Sequence, residues 1–249
     1  MFDLSGKTAL VTGANTGLGQ GMALALANAG ADIALVGRTD PTETLEQLDS
    51  IGVKTCSVRA DLSHADRVAD IIDEVVSKLG RVDILVNNAG IIKRNEAIDF
   101  TPEDWDAVMN VNLRTLFFLS QAFARHIVGE SKTGKIINIA SMLTFQGGIR
   151  VPSYTASKIG VGGLTKALAN EWAAHGINVN AIAPGYFATN NTAALQADKK
   201  RNAEILGRIP SGRWGRPSDM GGAVVFLASA ASDYVQGITL SVDGGWLSR

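Results

Sequence analysis

Short apolar runs alternate with longer stretches of helical spacing along the whole of this 249-residue chain. Residues 8–11, 33–36, 53–58, 84–86, 136–139, 179–182 and 238–242 read as strands, because they are continuously apolar and rich in β-branched side chains. Between them, residues 19–28, 65–78, 104–126 and 157–174 carry apolar positions at helical spacing. A strand without a polar face must be buried on both sides. Strand after strand separated by helices leaves little but a parallel sheet covered on both faces. The expectation is therefore an α/β chain with a doubly wound seven-stranded parallel sheet, folded as a single domain over 1–249. The rhythm breaks once, over residues 186–217, which are polar and weakly periodic. An insert at the carboxyl edge of such a sheet is the place for a substrate lid. Its Lys199-Lys200-Arg201 run reads as a solvated helix face.

Composition narrows the function classes. Hydrophobic residues make up 46% and charged residues 19%, enough apolar material for a large core. No apolar run reaches bilayer-spanning length, and residues 1–7 lack the basic-then-apolar pattern of a signal peptide. A formal net charge of -1 predicts no general attraction to nucleic acid or anionic membrane. The one cysteine, Cys56, permits no internal disulfide, fits a reducing cytoplasm, and lies in a strand-like run where packing explains it. His64, His126 and His175 are scattered without ligand spacing, so no metal is expected.

The stretch Thr12-Gly-Ala-Asn-Thr-Gly-Leu-Gly19 follows the first strand and opens a helix. Glycines there allow a tight turn and let backbone N–H groups approach a pyrophosphate at the helix N-terminus. The second strand ends at Val36-Gly37-Arg38, where an acidic residue would grip a ribose 2′-hydroxyl. Gly37 supplies no carboxylate, Asp32 comes too early and Asp40 slightly late. Arg38 suits a 2′-phosphate, which leans the choice of NAD(P)(H) toward NADP; its simpler reading is stacking on adenine or facing water.

After the strand at 136–139 comes Ser141, then a Gly-Gly loop, Pro152, and Tyr154 with Lys158 four residues on. On a helix those two share a face. A phenol beside an ammonium is expected below its ordinary pKa, because the cation favours the phenolate. With a hydroxyl at the strand end, the trio can move a proton on and off a carbinol.

In order along the chain stand Thr12-Gly13-x-x-x-Gly17-x-Gly19, Asn87-Asn88-Ala89-Gly90, Asn112, Ser141, Tyr154-x-x-x-Lys158 and Pro184-Gly185. Together they resemble the short-chain dehydrogenase/reductase family over its whole length. Residues 139–154, Pro184-Gly-Tyr-Phe-Ala-Thr-Asn-Asn-Thr192, Arg208-Ile-Pro-Ser-Gly-Arg-Trp-Gly215 and Val242-Asp-Gly-Gly-Trp-Leu resemble its bacterial 2-dehydro-3-deoxy-D-gluconate 5-dehydrogenase (2-deoxy-D-gluconate 3-dehydrogenase) group. The neighbouring gluconate 5-dehydrogenases share the last two elements. That group is usually NAD-linked, against the lean of Gly37-Arg38.

The resemblance implies a Rossmann-type fold, a homotetramer, and a tetrad of Asn112, Ser141, Tyr154 and Lys158. Tyr154 is then the general acid in reduction and general base in oxidation. Lys158 holds its pKa down and binds the nicotinamide ribose, Ser141 steadies the substrate oxygen, and Asn112 holds a water. It places Gly13, Asn15, Thr16, Gly17, Leu18 and Gly19 at the pyrophosphate, with Asp61 and Leu62 beside adenine. Asn88, Ala89 and Gly90 line the cofactor, and Pro184, Gly185, Phe187 and Thr189 approach the carboxamide. A sugar-acid substrate, met by Ser141 and Tyr154, also needs a cation; Arg94 and Arg150 are best placed, with Arg213 on the lid a third. The alternatives are gluconate 5-dehydrogenase, another keto-sugar reductase, or a dinucleotide-sensing regulator without chemistry. The presence of all four tetrad residues speaks against the last.

Overall fold

The computed structural model describes the backbone of residues 1–249 and every side chain except that of Asn191. The strands are β1 (Thr8–Thr12), β2 (Asp32–Gly37), β3 (Thr55–Arg59), β4 (Ile84–Asn87), β5 (Gly134–Ile139), β6 (Ile177–Pro184) and β7 (Thr239–Val242). The helices are α1 (Gly17–Asn28), α2 (Thr42–Ile51), α3 (Val68–Leu79), α4 (Pro102–Met109), α5 (Leu116–Gly129), α6 (Pro152–Trp172), α7 (Ala193–Ala197), α8 (Lys199–Arg208) and α9 (Gly221–Ala228). All seven strands run parallel in one sheet, ordered β3-β2-β1-β4-β5-β6-β7. The order reverses between β1 and β4, which leaves a crevice at their carboxyl ends, the usual ligand position in such sheets.

Burial on both faces explains the continuous apolar strands. In β1, Ala9 and Val11 pack with Met22 and Leu26 of α1 and Val224 and Leu227 of α9. Leu10 faces the other way, toward Ile72 and Val75 of α3 and Leu119 and Phe123 of α5. A polar residue at any of these positions loses a core rather than a surface, so alternation is absent.

Local chemistry sets the helix starts near the site. Thr101 accepts a hydrogen bond from Asp104 N (3.2 Å) and Pro102 takes the first turn of α4, while Pro152 does the same for α6. The single helix expected over 104–126 is instead α4, a π turn at Asn110–Thr115, and α5. Apolar spacing does not mark a π turn, because the extra residue is accommodated without breaking the helical direction. The insert 186–217 holds α7 and α8. Ile205 and Ile209 pack with Met142 and Trp246, joined by half-buried Tyr186 and Trp214. Its anchors are spread over distant segments, so it lacked periodicity in the sequence. No described helix is long and apolar enough to cross a membrane.

Candidate active site

The glycine turn is assembled by its neighbours. Gly13 and Gly17 both take left-handed backbone (φ +63° and +62°), and a Cβ on Gly19 would run into the Gly13 carbonyl and the Asn88 amide. Thr12 Oγ1 accepts from the N–H groups of Asn88 (3.0 Å) and Ala89 (2.9 Å). Asn88 Nδ2 returns two bonds, to the carbonyls of Thr12 (2.9 Å) and Gly13 (3.0 Å). Asn88 thus clamps the turn to the end of β4. Buried Thr44 on α2 donates to Ala14 O (2.9 Å) from the other side. Leu18 packs on the core, and Thr16 sits at the α1 N-cap with no side-chain cap bond. Thr189, after β6, comes within van der Waals reach of the space above Gly17. Pro184 ends β6, Gly185 donates to Val242 O (3.0 Å), and Phe187 is buried.

Beside this turn a cleft of about 490 Å³ opens at the ends of β2 and β3, lined by Asn15, Gly37, Arg38, Thr39 and Arg59 among others. The carboxylates near this strand end are committed elsewhere. Asp32 accepts from Lys54 N (2.9 Å), and Asp40 from Thr42 Oγ1 (3.0 Å). Asp61 accepts from Ser63 N (2.9 Å); the Ser63 bonds, and then the charge of Arg38, hold its carboxyl below the ordinary range. Leu62 is buried next to it.

The four candidate catalytic residues come together from three places, the π turn, the end of β5 and α6. Ser141 follows β5, and its Oγ accepts from Leu143 N (3.1 Å), which leaves the hydroxyl proton free to donate. Lys158 is buried; its Nζ donates to Ile139 O (2.6 Å) and lies 5.6 Å from the Tyr154 ring centroid. Asn112, fully buried in the π turn, accepts from Ile91 N (2.9 Å) and donates to Ile91 O (3.0 Å) and Ser157 Oγ (3.2 Å). Ser157 donates in turn to Tyr154 O (2.8 Å). Thr144 donates separately to Lys158 O (2.9 Å). Gly90 tucks against this group: a Cβ there would lie 3.2 Å from Asn112 Oδ1 and 3.8 Å from Lys158 Nζ.

The electrostatics correct one expectation. Burial pushes the Tyr154 phenol above its ordinary value, opposed by a hydrogen bond from Ser141 and by the Arg94 guanidinium. Burial also pulls Lys158 down to about 8. Desolvation of the phenolate therefore outweighs any help from the neighbouring cation, whose own charged form is destabilised and is bonded to Ile139 O.

Four cations bear on the choice of a carboxylate ligand. Lys93 pairs with Asp104 (3.0 Å), Arg150 with Glu96 (3.1 Å), and Arg213 with Asp219 (2.6 Å). Arg150 also stands in left-handed backbone (φ +64°), its carbonyl accepting from Asn95 N (3.1 Å). Among the described residues Arg94 has no ion pair, yet its charge reaches Tyr154.

Residues 13–247 match a family model described as Enoyl-(Acyl carrier protein) reductase. The chain is 61% identical to 2-dehydro-3-deoxy-D-gluconate 5-dehydrogenase of Escherichia coli K12, covering 100% of this chain and 98% of the relative. Among solved structures, a candidate 2-deoxy-D-gluconate 3-dehydrogenase from Agrobacterium tumefaciens with bound NADP superposes with a TM-score of 0.94 at 56% identity, covering 100% and 99% of the two chains. A gluconate 5-dehydrogenase from Burkholderia cenocepacia in complex with NADP and tartrate superposes at 0.95 and 42% identity, covering 100% and 98%. The chain belongs to the short-chain dehydrogenase/reductase family.

As a member of that family it is a nicotinamide-dependent oxidoreductase, and the Rossmann-type sheet expected from its motifs is the sheet observed. Membership also gives sense to groups that sequence reading passed over. Ser157 lies between two tetrad residues, three positions after Tyr154, a helical spacing that was available as a signal. Thr144 and Thr44 carried none, since each acts on a segment distant in sequence. Asn112 bonds the backbone of Ile91, 21 residues earlier in the chain.

Proposed function

We propose that this chain interconverts a ketone and a secondary alcohol on a deoxy-keto sugar acid, as a 2-dehydro-3-deoxy-D-gluconate 5-dehydrogenase using NADP(H). The observation that carries the reading is Arg94, without an ion pair among the described residues, whose charge reaches a half-buried Tyr154 flanked by buried Ser141 and Lys158. The former suits a carboxylate, the latter a carbonyl oxygen. The names of the full-length relatives agree with it.

When bound, the nicotinamide supplies the hydride in reduction and accepts it in oxidation. Tyr154 gives its phenolic proton to the carbonyl oxygen in reduction and removes it in oxidation. Ser141, whose Oγ accepts from Leu143 N and whose hydroxyl bonds the Tyr154 phenol, turns its proton to the same substrate oxygen. Lys158 is chiefly protonated at neutral pH with a pKa of about 8, and so steadies the phenolate as it forms. Asn112 sets the π turn behind Lys158 and keeps its water-linked path to solvent. Arg94 orients the substrate by its carboxylate. Asn15, Gly13, Gly17 and Gly19 would hold the pyrophosphate of a dinucleotide, Asp61 and Leu62 would flank its adenine, and Arg38, in the cleft with Asn15, would meet its 2′-phosphate. The absence of an acidic residue at Gly37 favours NADP, as do the NADP-bound structural relatives.

The segment 186–217 acts as the lid, seated through Ile205 and Ile209 on Met142, next to Ser141. The working form is a cytoplasmic homotetramer, supported by exposed Ile98 and Trp105 before and on α4, Ile159 on α6, and Tyr234 and Ile238 before β7. A monomeric mass by light scattering would remove the tetramer.

Gluconate 5-dehydrogenase is the second reading, favoured by the likeness to the Burkholderia cenocepacia enzyme. Turnover with 2-dehydro-3-deoxygluconate and with gluconate, each with NADPH/NADP and NADH/NAD, decides. Efficient turnover of the deoxy-keto acid supports the proposal, turnover of gluconate alone replaces it with the second reading, and cofactor binding without any turnover points to a regulator.

A further inference from the structure

We propose that Arg59, at the end of β3, is a second ligand for the 2′-phosphate of the dinucleotide, opposing Arg38 across the open space above Gly37. The inference rests on the NADP(H) reading above and adds a residue that no motif near Arg38 contains.

Register places Arg59 there. In the parallel β2–β3 pair, Leu35 stands beside Ser57, Val36 beside Val58, and Gly37 beside Arg59. Partners in register project to the same side of a sheet. Val36 and Val58 point into the core with α3, so Gly37 and Arg59 point to the opposite side, where the cleft lies. A Cβ built on Gly37 would meet nothing within 4 Å. The missing side chain at 37 therefore removes the acidic grip and also leaves the Arg59 guanidinium a clear way to the same spot.

Charge points the same way. Arg38 and Arg59 both line this cleft of about 490 Å³, together with Asn15 and Ser57. Among the described residues neither arginine has an ion pair or a side-chain hydrogen bond. The carboxylates within reach in sequence, Asp32, Asp40 and Asp61, are bonded to Lys54 N, Thr42 Oγ1 and Ser63 N. Asp40 also lines the cleft and Asp61 feels the charge of Arg38, but neither carboxylate lies within salt-bridge distance of Arg38 or Arg59 among the described residues; a phosphate monoester near -2 can be held there by two planar forks. Like-charged walls also draw an anion toward the cleft from solution.

The test is equilibrium fluorescence titration of the full-length protein with NADPH and NADH, with 2′-AMP and 5′-AMP as competing probes. Wild type should bind NADPH and 2′-AMP more tightly than NADH and 5′-AMP. Arg59→Ala should lose about tenfold in affinity for NADPH and 2′-AMP while NADH and 5′-AMP change less than twofold. Arg59→Glu should lose more, again only for the 2′-phosphorylated ligands. Arg59 is exposed on an edge strand, so circular dichroism should show both variants folded like wild type. Unchanged NADPH affinity in Arg59→Ala, with wild-type discrimination and Arg38→Ala sensitivity intact, overturns the role of Arg59 and leaves the NADP reading standing. An equal loss for NADPH and NADH overturns it too, as general electrostatics. A wild type that does not distinguish NADPH from NADH removes the NADP reading and this inference with it.

Discussion

At the end of β1 the crevice is built from backbone and open space: left-handed glycines, a turn clamped by Asn88, and a cleft whose arginines have no ion pair among the described residues. At the end of β5 it is built from side chains bonded to one another and to backbone, running from Ile91 N through Asn112 and Ser157 to Tyr154 O, and from Thr144 to Lys158 O. The first arrangement suits a ligand rich in phosphate, which needs donors and room more than shape. The second suits proton transfer, which needs groups fixed to within a fraction of an ångström. Substitutions at the first end should therefore change affinity, and those at the second should change rate.

The sharpest separation comes from Tyr154→Phe. Turnover should fall by about 10³-fold or more while NADPH affinity stays within about twofold, measured by steady-state kinetics and fluorescence titration. Substantial residual activity would sink the tetrad. At the other end, Gly19→Ala forces a methyl into the Gly13 carbonyl and the Asn88 amide. Cofactor affinity should drop by about 100-fold and stability by roughly 1–3 kcal/mol in urea denaturation. Retained affinity would show that the turn can give way.

Arg94→Ala should raise KM for the sugar acid about 10- to 100-fold with cofactor affinity unchanged, the scale of one charge-assisted bond. Arg150→Ala, which breaks only an exposed pair with Glu96, should change KM less than threefold. The reverse ranking would move the carboxylate site to Arg150. A smaller effect belongs to Ser157→Ala, which cuts the link from Asn112 to Tyr154. We expect kcat to fall about five- to tenfold at constant KM, with the pH profile of kcat displaced; a loss of stability with an unmoved profile would make Ser157 merely structural.

The gentlest test is the pH dependence of folding. Lys158 titrates at about 8 in the folded chain and near 10.5 when unfolded. Between those values the unfolded chain holds a proton that the folded chain has released. This group's contribution to stability therefore rises with pH through that window, by roughly 3 kcal/mol in all. Lys158→Met should flatten the rise, and an unchanged slope would mean the ammonium is better solvated than its burial implies.

How much of this was readable in the sequence divides along the same line. The strands, the parallel sheet and the glycine turn were legible because burial on both faces and a tight turn impose composition locally. The four candidate catalytic residues were legible as spaced motifs, but not their connections. Nothing in residues 104–126 announces a π turn, and nothing at Thr144 announces a bond to Lys158 O. The expectation of a lowered phenol pKa came from a helical spacing of four. It failed because spacing carries no information on dielectric, and burial dominates at Tyr154. Arg94 and Arg150 were indistinguishable until Glu96 and Asp104 could be seen to occupy the neighbouring cations.

The sequence by itself determined the alternation of buried strand and helix, the glycine turn after the first strand, and the identities of the groups able to move a proton, since each depends on residues close together in the chain. Tertiary structure decided which cations are free, which hydroxyls are committed, where Lys158 titrates, and that Arg59 stands beside Gly37. Those properties depend on neighbours supplied by other strands and helices, and sheet order, set by packing across the whole domain, chooses the neighbours.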